Sequence, residues 1–353
     1  MIRIFFIIME YPKFKVCCRC FTFNQAKYIT DAMNGFTMQQ TSFPFVCCIV
    51  DDASTDGEKE VIRKYVEDNF DLSEGSVAYH KETDNAHITY AQHKANKNCY
   101  FAVLYLKENH YSQRKPKMPY LTEWRDLCEY EALCEGDDYW IIGEKLQLQV
   151  SYLDNNQSAS LCFDPSWINI KGEIKQNNFV KHHLGKSSIN DLCFGNYIST
   201  CSVVYRRNEC LSELMSRVIL PSKIGDYPQF MYLASWGYLY SFPMAMSVYR
   251  IHSDNSWRGT TTVVDKSFDI IGYLYNILHS GAVNGFANAV IRLRILESQA
   301  LLYFYLLKHN KTKAYSEKLN GYCIKKSILY HFMRLLYSKI MLSTMRVYSH
   351  IIK

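Results

Sequence analysis

Apolar positions in the first eighty residues switch between two periods. The run "KVCCRCF" (15–21) is apolar except at its basic positions and reads as a buried strand. Ile29, Ala32, Met33 and Phe36 then recur at i, i+3, i+4 and i+7, the spacing of a helix with one apolar face, with Asn24 placed to cap it. "FVCCIV" (45–50) is a second buried strand. "DDASTDGE" follows, where Thr55 and Glu58 have capping-box spacing. A second helix places Val61, Ile62 and Tyr65 on one face, and "SVAYH" (76–80) reads as a third strand. Strand–helix–strand–helix–strand predicts an α/β domain with a mostly parallel, Rossmann-like sheet flanked by helices.

Further along, the pattern predicts a helix over 91–106 and a basic, proline-containing surface insertion, "SQRKPKMPY" (112–120). A helix follows with Leu146, Val150 and Leu153 on one face. Strands are expected at 159–163 and 198–207, a helix at 225–237 and a strand at 238–252. From about Asp265 the chain turns to long helical segments rich in Leu, Tyr and Ile. After Glu317 there is no acidic residue, while Lys318, Lys325, Lys326, Arg334, Lys339, Arg346 and Lys353 remain. That composition suits a helix lying on an anionic membrane surface, and equally a helical subdomain with a solvated basic face.

No window reaches the roughly 18 uninterrupted apolar residues of a membrane span. The apolar start "MIRIFFIIME" is broken by Glu10 and has no small-residue cleavage site, a poor secretory signal, and a start at Met9 would remove most of it. The expectation is therefore a cytoplasmic protein, with peripheral contact to the inner face of the membrane as an option.

Composition narrows the class. The 353 residues are 48% hydrophobic and 21% charged, values of a globular chain. The 13 cysteines come in runs such as "CCRC" and "CC". Neighbours on a strand point to opposite faces, so these read as reduced core residues. Cys17 and Cys20 have CxxC spacing and Cys128 and Cys134 lie further on, but no second CxxC or HxxxH completes a zinc tetrad. Net charge of +6 raises the question of nucleic acid. Much of the basic excess sits in the tail among aliphatic and tyrosine residues, with no nucleic-acid motif, so membrane contact is the better reading.

The acids are distributed less evenly. In "ALCEGDDYW" (132–140) an apolar run ends in Glu135, Asp137 and Asp138, a cluster that repels itself unless a cation or donors hold it. Asp51 and Asp52 end the second strand. Ligands of parallel sheets bind beyond the carboxyl ends of the strands, so Thr22, Asp51, Asp52 and the Glu135–Asp138 cluster should gather on one edge. Hard oxygen ligands there suit Mg²⁺ or Mn²⁺ bound through one or two carboxylates plus substrate phosphates. Asp226 in "IGDYPQF" and His252 in "YRIHSDNSW" carry weight only in combination with these clusters: singly, one reads as a helix cap and the other as a packed or surface histidine.

That combination carries a resemblance. "FNQAKYI", "FVCCIVDDASTDG", "EALCEGDDYWIIGEKLQLQV", "STCSVVYRR", "GDYPQFMYLA" and "MSVYRIHSDNSW", in this order, resemble family 2 glycosyltransferases of the GT-A fold, closest to bacterial members that build surface polysaccharides. The likeness covers roughly 13–258, which makes 13–258 the expected catalytic domain and 259–353 a helical, basic appendage. The resemblance implies a nucleoside-diphosphate sugar donor, with UDP the commonest carrier, and a saccharide or lipid-linked saccharide acceptor. It implies that Asp52 bonds the nucleobase and that Thr22 and Asp51 shape its pocket. Glu135, Asp137 and Asp138 match the DxD-type motif with Glu in first place, Asp137 or Asp138 binding the metal and a neighbouring carboxylate meeting the ribose. Asp226 matches the general base, and His252 with Arg250 the C-terminal element that closes on metal and diphosphate. The reaction implied is a single displacement with inversion.

Some positions depart from the pattern. Phe21 stands where the family commonly has proline, "NAH" (85–87) replaces an Asn-x-Gly stretch, and Arg19 occupies a position that should be buried. An unpaired buried guanidinium costs several kcal/mol, so Arg19 must reach a partner. Of Tyr139 and Trp140, one is expected to pack the sheet and the other to offer a face to a sugar. Two other classes compete. A sugar-nucleotide nucleotidyltransferase would want a glycine-rich loop after the first strand, where "TFNQAKY" has none. A non-catalytic scaffold on a degenerate fold would not need Asp137, Asp138 and Asp226.

Overall fold

A computed structural model describes residues 11–177, 180, 183–208, 225–252, 262–322, 324 and 327–351 of the chain. The apolar start up to Glu10, the stretch from Ser253 to Trp257, and Lys325, Lys326 and Lys353 of the basic tail lie outside the described residues. The chain forms two compact units. The first comprises Met1–Asn155, Ser199–Arg207 and Met244–Arg250, the second Asn156–Ile198, Asn208–Pro243 and Ile251–Lys353.

In the first unit β1 (Val16–Thr22), β2 (Phe45–Asp51), β6 (Cys99–Leu106) and β7 (Tyr130–Leu133) run parallel in the order β7-β1-β2-β6. Antiparallel strands extend this sheet: β13 (Val204–Arg206) beside β7, and β5 (Ala86–His93) beside β6, followed by β3 (Phe70–Asp71) and β4 (Tyr79–Glu82) on β5. Every residue of β2 is buried, because its strand is covered on both faces. On one face Cys17, Val46, Cys48 and Leu104 pack against Trp124 of α3 (Thr122–Arg125). On the other, Phe36 of α1 (Ile29–Thr37) meets Phe101 and Trp140 edge-on at 6.3 and 5.0 Å, and Tyr65 of α2 (Glu58–Asn69) stacks on Phe101. Trp140 belongs to β8 (Tyr139–Trp140), paired antiparallel with β15 (Ser247–Ile251). A Cβ on Gly35 would sit 2.8 Å from the Trp140 backbone nitrogen, so α1 can approach β8 only through a glycine. The helix α4 (Lys145–Asn155) buries Leu146, Val150 and Leu153 as its spacing predicts. Eleven described cysteines are buried, and none of these forms a disulfide.

Several local expectations shift. Residues 91–106 are not a helix: they complete β5 and form β6. "CYFAVLYL" is apolar on both faces, so its periodicity cannot separate a strand from a buried helix, and its place inside the sheet decides. Asn24 does not cap α1, which starts at Ile29 after Tyr28. Instead Asn24 adopts φ +53° and its side chain accepts from Thr55 N at 2.8 Å. Thr55 and Glu58 form no capping box, since Gly57 precedes the helix at φ +91° and the Glu58 carboxylate turns inward. The third predicted strand lies at Tyr79–Glu82. Residues 198–207 contain a 3₁₀ turn (Thr200–Ser202) before β13, and 238–252 divide into β14 (Tyr238–Ser241) and β15.

Arg19 finds its partner. Its guanidinium lies 3.2 Å from the buried Glu131 carboxylate, which Arg125 also contacts at 2.7 Å.

In the second unit β9 (Ala159–Phe163) runs parallel to β14, with β12 (Gly185–Ser187) antiparallel beyond it, and β10 (Trp167–Ile170) and β11 (Glu173–Gln176) form a hairpin. Helices α5 (Ile189–Leu192) and α6 (Asp226–Trp236) precede α7 (Val263–His279), α8 (Gly285–Lys308), α9 (Ser316–Gly321) and α10 (Ile328–Ile351). Phe268, Ile271, Leu302, Leu306, Leu319 and Ile324 share one core there. Arg294 of α8 donates to the Tyr227 hydroxyl at 2.6 Å and to Cys193 O at 2.8 Å, tying α8 to the start of α6. No helix among the described residues is long and apolar enough to cross a membrane.

Candidate functional site

The parallel register brings the strand ends together. Thr22 pairs with Asp51 as the last residues of β1 and β2, and Asp52 N donates to Thr22 O at 3.0 Å. Beyond β7 the chain keeps following β1: Cys134 N bonds Arg19 O at 3.1 Å and Gly136 N bonds Phe21 O at 3.2 Å. The "EGDD" turn therefore lies against Thr22, although over one hundred residues separate them in sequence. Gly136 is required there. A Cβ on it would overlap the Thr22 hydroxyl and the Gln25 side-chain oxygen and lie 2.7 Å from Thr22 Cβ.

Glu135 is exposed, while Asp137 and Asp138 are 5% and 1% exposed. Burial, reinforced by the neighbouring Asp137 charge, pushes the Asp138 carboxyl well above its ordinary range. A bound cation reverses that sign, because it favours the ionised form. Arg250, from β15, clasps this pair. Its backbone N–H donates to Asp138 Oδ1 at 2.7 Å, and its guanidinium donates to Asp137 O at 2.6 Å and to Asp31 Oδ2 at 2.8 Å. The guanidinium also lies over the rings of Tyr28 and Tyr139, 4.6 and 4.8 Å from their centroids. Trp140 is the packing member of its pair, buried with its indole N–H on Cys201 O at 2.8 Å.

Asp51 is buried and accepts from Ser54 N at 3.0 Å, and burial raises its carboxyl pKa despite that bond. Asp52 has no exposed surface. Its carboxylate takes His110 N at 2.7 Å, Tyr111 N at 3.0 Å and the Lys117 ammonium at 2.9 Å. A nucleobase could reach it only with segment 110–117 displaced, and the basic insertion is thus tied inward at Lys117 instead of being wholly solvated. Asp226 opens α6 in the second unit, half-buried, and accepts from Asn196 Nδ2 at 3.3 Å. His252 is also assigned to the second unit, two residues beyond Arg250 in sequence.

Sequence reasoning missed Glu58, Asp31 and Lys117. Buried Glu58 accepts from the Thr22 hydroxyl, from Gln25 N at 2.9 Å and from Ser54 Oγ at 2.7 Å. Burial raises its pKa, and those donors offset only part of the effect. The signal for Asp31 was slight: an acid in the first turn of α1 reads as a partner for the helix dipole.

Two adjacent buried carboxylates at a sheet edge are a hard-oxygen donor set of the kind that Mg²⁺ or Mn²⁺ completes with phosphate oxygens. Among the described residues no group of three or more His, Cys, Asp or Glu side chains converges as an all-protein metal cage.

No family model matches the chain. The uncharacterized protein Rv1520 of Mycobacterium tuberculosis and its counterpart Mb1547 of Mycobacterium bovis are each 30% identical over 258 residues, 71% of this chain. The match spans 63% of the length of these relatives. Among solved structures, S. aureus TarS 1-349 in complex with UDP-GlcNAc superposes with a TM-score of 0.52 at 16% identity, over 92% of this chain and 79% of that one. The same protein in complex with UDP gives 0.51 at 17% identity, over 86% and 75%. At these identities the likeness establishes the fold: a mixed α/β chain of the TarS architecture.

Proposed function

We propose that this chain is an inverting, metal-dependent glycosyltransferase of the family 2 type, moving a sugar from a nucleoside diphosphate to a hydroxyl of a saccharide or lipid-linked saccharide in surface polysaccharide synthesis. One observation carries the reading: Asp137 and Asp138 are buried side by side next to the paired strand ends Thr22 and Asp51, and are clasped by Arg250. An acid pair enclosed this way is costly without a cation. The likeness to a fold that holds UDP-GlcNAc in TarS supports a uridine nucleotide as the donor. We place the activity in the cytoplasm.

In this reading Thr22 and Asp51 line the nucleoside end, and Asp52 fixes the adjoining wall through segment 110–117. Glu135 meets the ribose. Asp137 and Asp138 would hold Mn²⁺ or Mg²⁺ with donor phosphate oxygens completing the coordination, the cation would supply positive charge against the diphosphate, and His252 would join them only in the donor-bound state. Arg250 keeps the two aspartates in place and adds positive charge beside them. Asp226 takes the proton from the acceptor hydroxyl as its oxygen attacks the anomeric carbon. The bond from that carbon to the diphosphate oxygen breaks with inversion, and the nucleoside diphosphate leaves with the electron pair.

The test is a thermal-shift screen of the purified chain against UDP, GDP, CDP and dTDP, each with and without Mn²⁺. The expected result is metal-dependent stabilisation by one nucleotide, absent in Asp138→Asn and retained in Asp226→Asn, which should bind donor but not turn it over. No shift with any nucleotide would favour a non-catalytic scaffold.

A further inference from the structure

The last helix of the second unit, α10, turns a mixed face inward, where Leu335, Met341, Leu342 and Met345 are partly buried alongside the polar His331, Arg334 and Ser338. His331 stacks on Tyr303 of α8 with ring centroids 4.4 Å apart, Arg334 donates to Gln299 Oε1 at 2.6 Å, and Ser338 has no exposed surface. Gln299 is itself buried, and donates to Tyr322 O at 3.0 Å and the Tyr275 hydroxyl at 3.1 Å. Positions 331, 334 and 338 follow helical spacing and define the face turned to α8. The outward face carries Leu329, Phe332, Met333, Leu336 and Ile340, which are 47–70% exposed. A helix finished in water carries polar and charged residues on such an outward face. Single exposed apolar residues are ordinary, whereas a contiguous stripe over three turns marks a surface that something covers.

Charge and length select the partner. Beyond Glu317 the sequence has no acid, and Lys339 and Arg346 are exposed on the same helix. A second copy laid face to face would set these cations against their own kind, which disfavours self-association. The stripe from Leu329 to Ile340 is about 17 Å long at 1.5 Å per residue, well short of the roughly 30 Å of a hydrocarbon core. It suits a helix lying in the plane of an interface. Tyr337 is exposed beside it, an amphipathic ring of the kind favoured at headgroup level.

We propose that α10 docks this face on an anionic lipid surface, its apolar side chains among the acyl chains and Lys339 and Arg346 at the headgroup phosphates. The proposal does not depend on the catalytic reading.

The test is co-sedimentation of the full chain with vesicles of phosphatidylcholine alone and with 30% phosphatidylglycerol. Binding to the anionic vesicles is expected to exceed binding to neutral ones at least tenfold and to fall with added salt. Leu329→Glu, Phe332→Glu and Leu336→Glu combined should abolish it, with a melting temperature within about 2 °C of the parent because the three positions are exposed. Lys339→Glu should reduce anionic binding and leave neutral binding unchanged. Absence of binding would overturn the proposal, as would binding that the triple variant retains. So would a dimer in light scattering that the triple variant dissolves, which would assign the face to a second copy.

Discussion

The backbone N–H of Arg250 donates to the Asp138 carboxylate at 2.7 Å across a sequence separation of 112 residues. The same residue's side chain reaches Asp137 O and Asp31, so one strand position holds the acid turn in place through both its backbone and its side chain. Asp31 is half exposed, and an ion pair open to water contributes little, whereas the buried bond to Asp137 O and the ring contacts are not screened. Asp31→Asn should therefore cost under about 1 kcal/mol of stability. Arg250→Met should cost about 2 kcal/mol and weaken nucleotide binding as well, because a charged donor is lost from a buried acceptor. Urea unfolding and nucleotide titration of the two variants check the order, and equal costs would refute it.

Gly136→Ala tests how tightly the acid turn packs on β1. Its Cβ would collide with Thr22 and Gln25, and Thr22 is held by Glu58. The expected loss is about 1–3 kcal/mol, as for overpacked cores, together with nucleotide binding. A variant with unaltered unfolding midpoint and nucleotide affinity would show that the turn is free to shift.

Glu131 makes stability depend on pH. Burial alone would raise its pKa, but the Arg19 and Arg125 charges outweigh it and hold the carboxyl below its usual range. A depressed folded-state pKa means that the stabilisation is present above the unfolded value of about 4.3 and is lost as pH falls through the folded one. Glu131→Gln should cost about 3–5 kcal/mol at pH 7 by stranding two cations, and the gap to the parent should be narrower at about pH 3, below the unfolded value, closing fully only below the depressed folded pKa. Unfolding midpoints at both pH values test this, and a gap independent of pH would sink it.

Asp52 anchors the insertion at 110–117 through two backbone N–H groups and Lys117. Asp52→Asn should release the segment and speed tryptic cleavage after Arg114 or Lys117 by at least tenfold. Lys117→Met should leave cleavage after Arg114 near the parent rate, since both backbone bonds remain. Equal protection in Asp52→Asn and the parent would mean that the anchor lies elsewhere.

What the sequence determined by itself was the set of elements whose chemistry is local. Strands 16–22 and 45–51, helices 29–37 and 145–155 and the acids at their ends could be read because period and end residues are written into consecutive positions. The need of Arg19 for a partner was legible from burial cost alone, though not that Glu131 would supply it. Only tertiary structure decided three further matters. The run 99–106 is a strand because β2 and β5 flank it, a choice that an apolar stretch without periodicity does not make. Asp52 is enclosed because a loop almost sixty residues later folds back onto it. The direction in which α10 faces could not be read from its composition, since an amphipathic pattern defines two faces and says nothing of which one its neighbour takes.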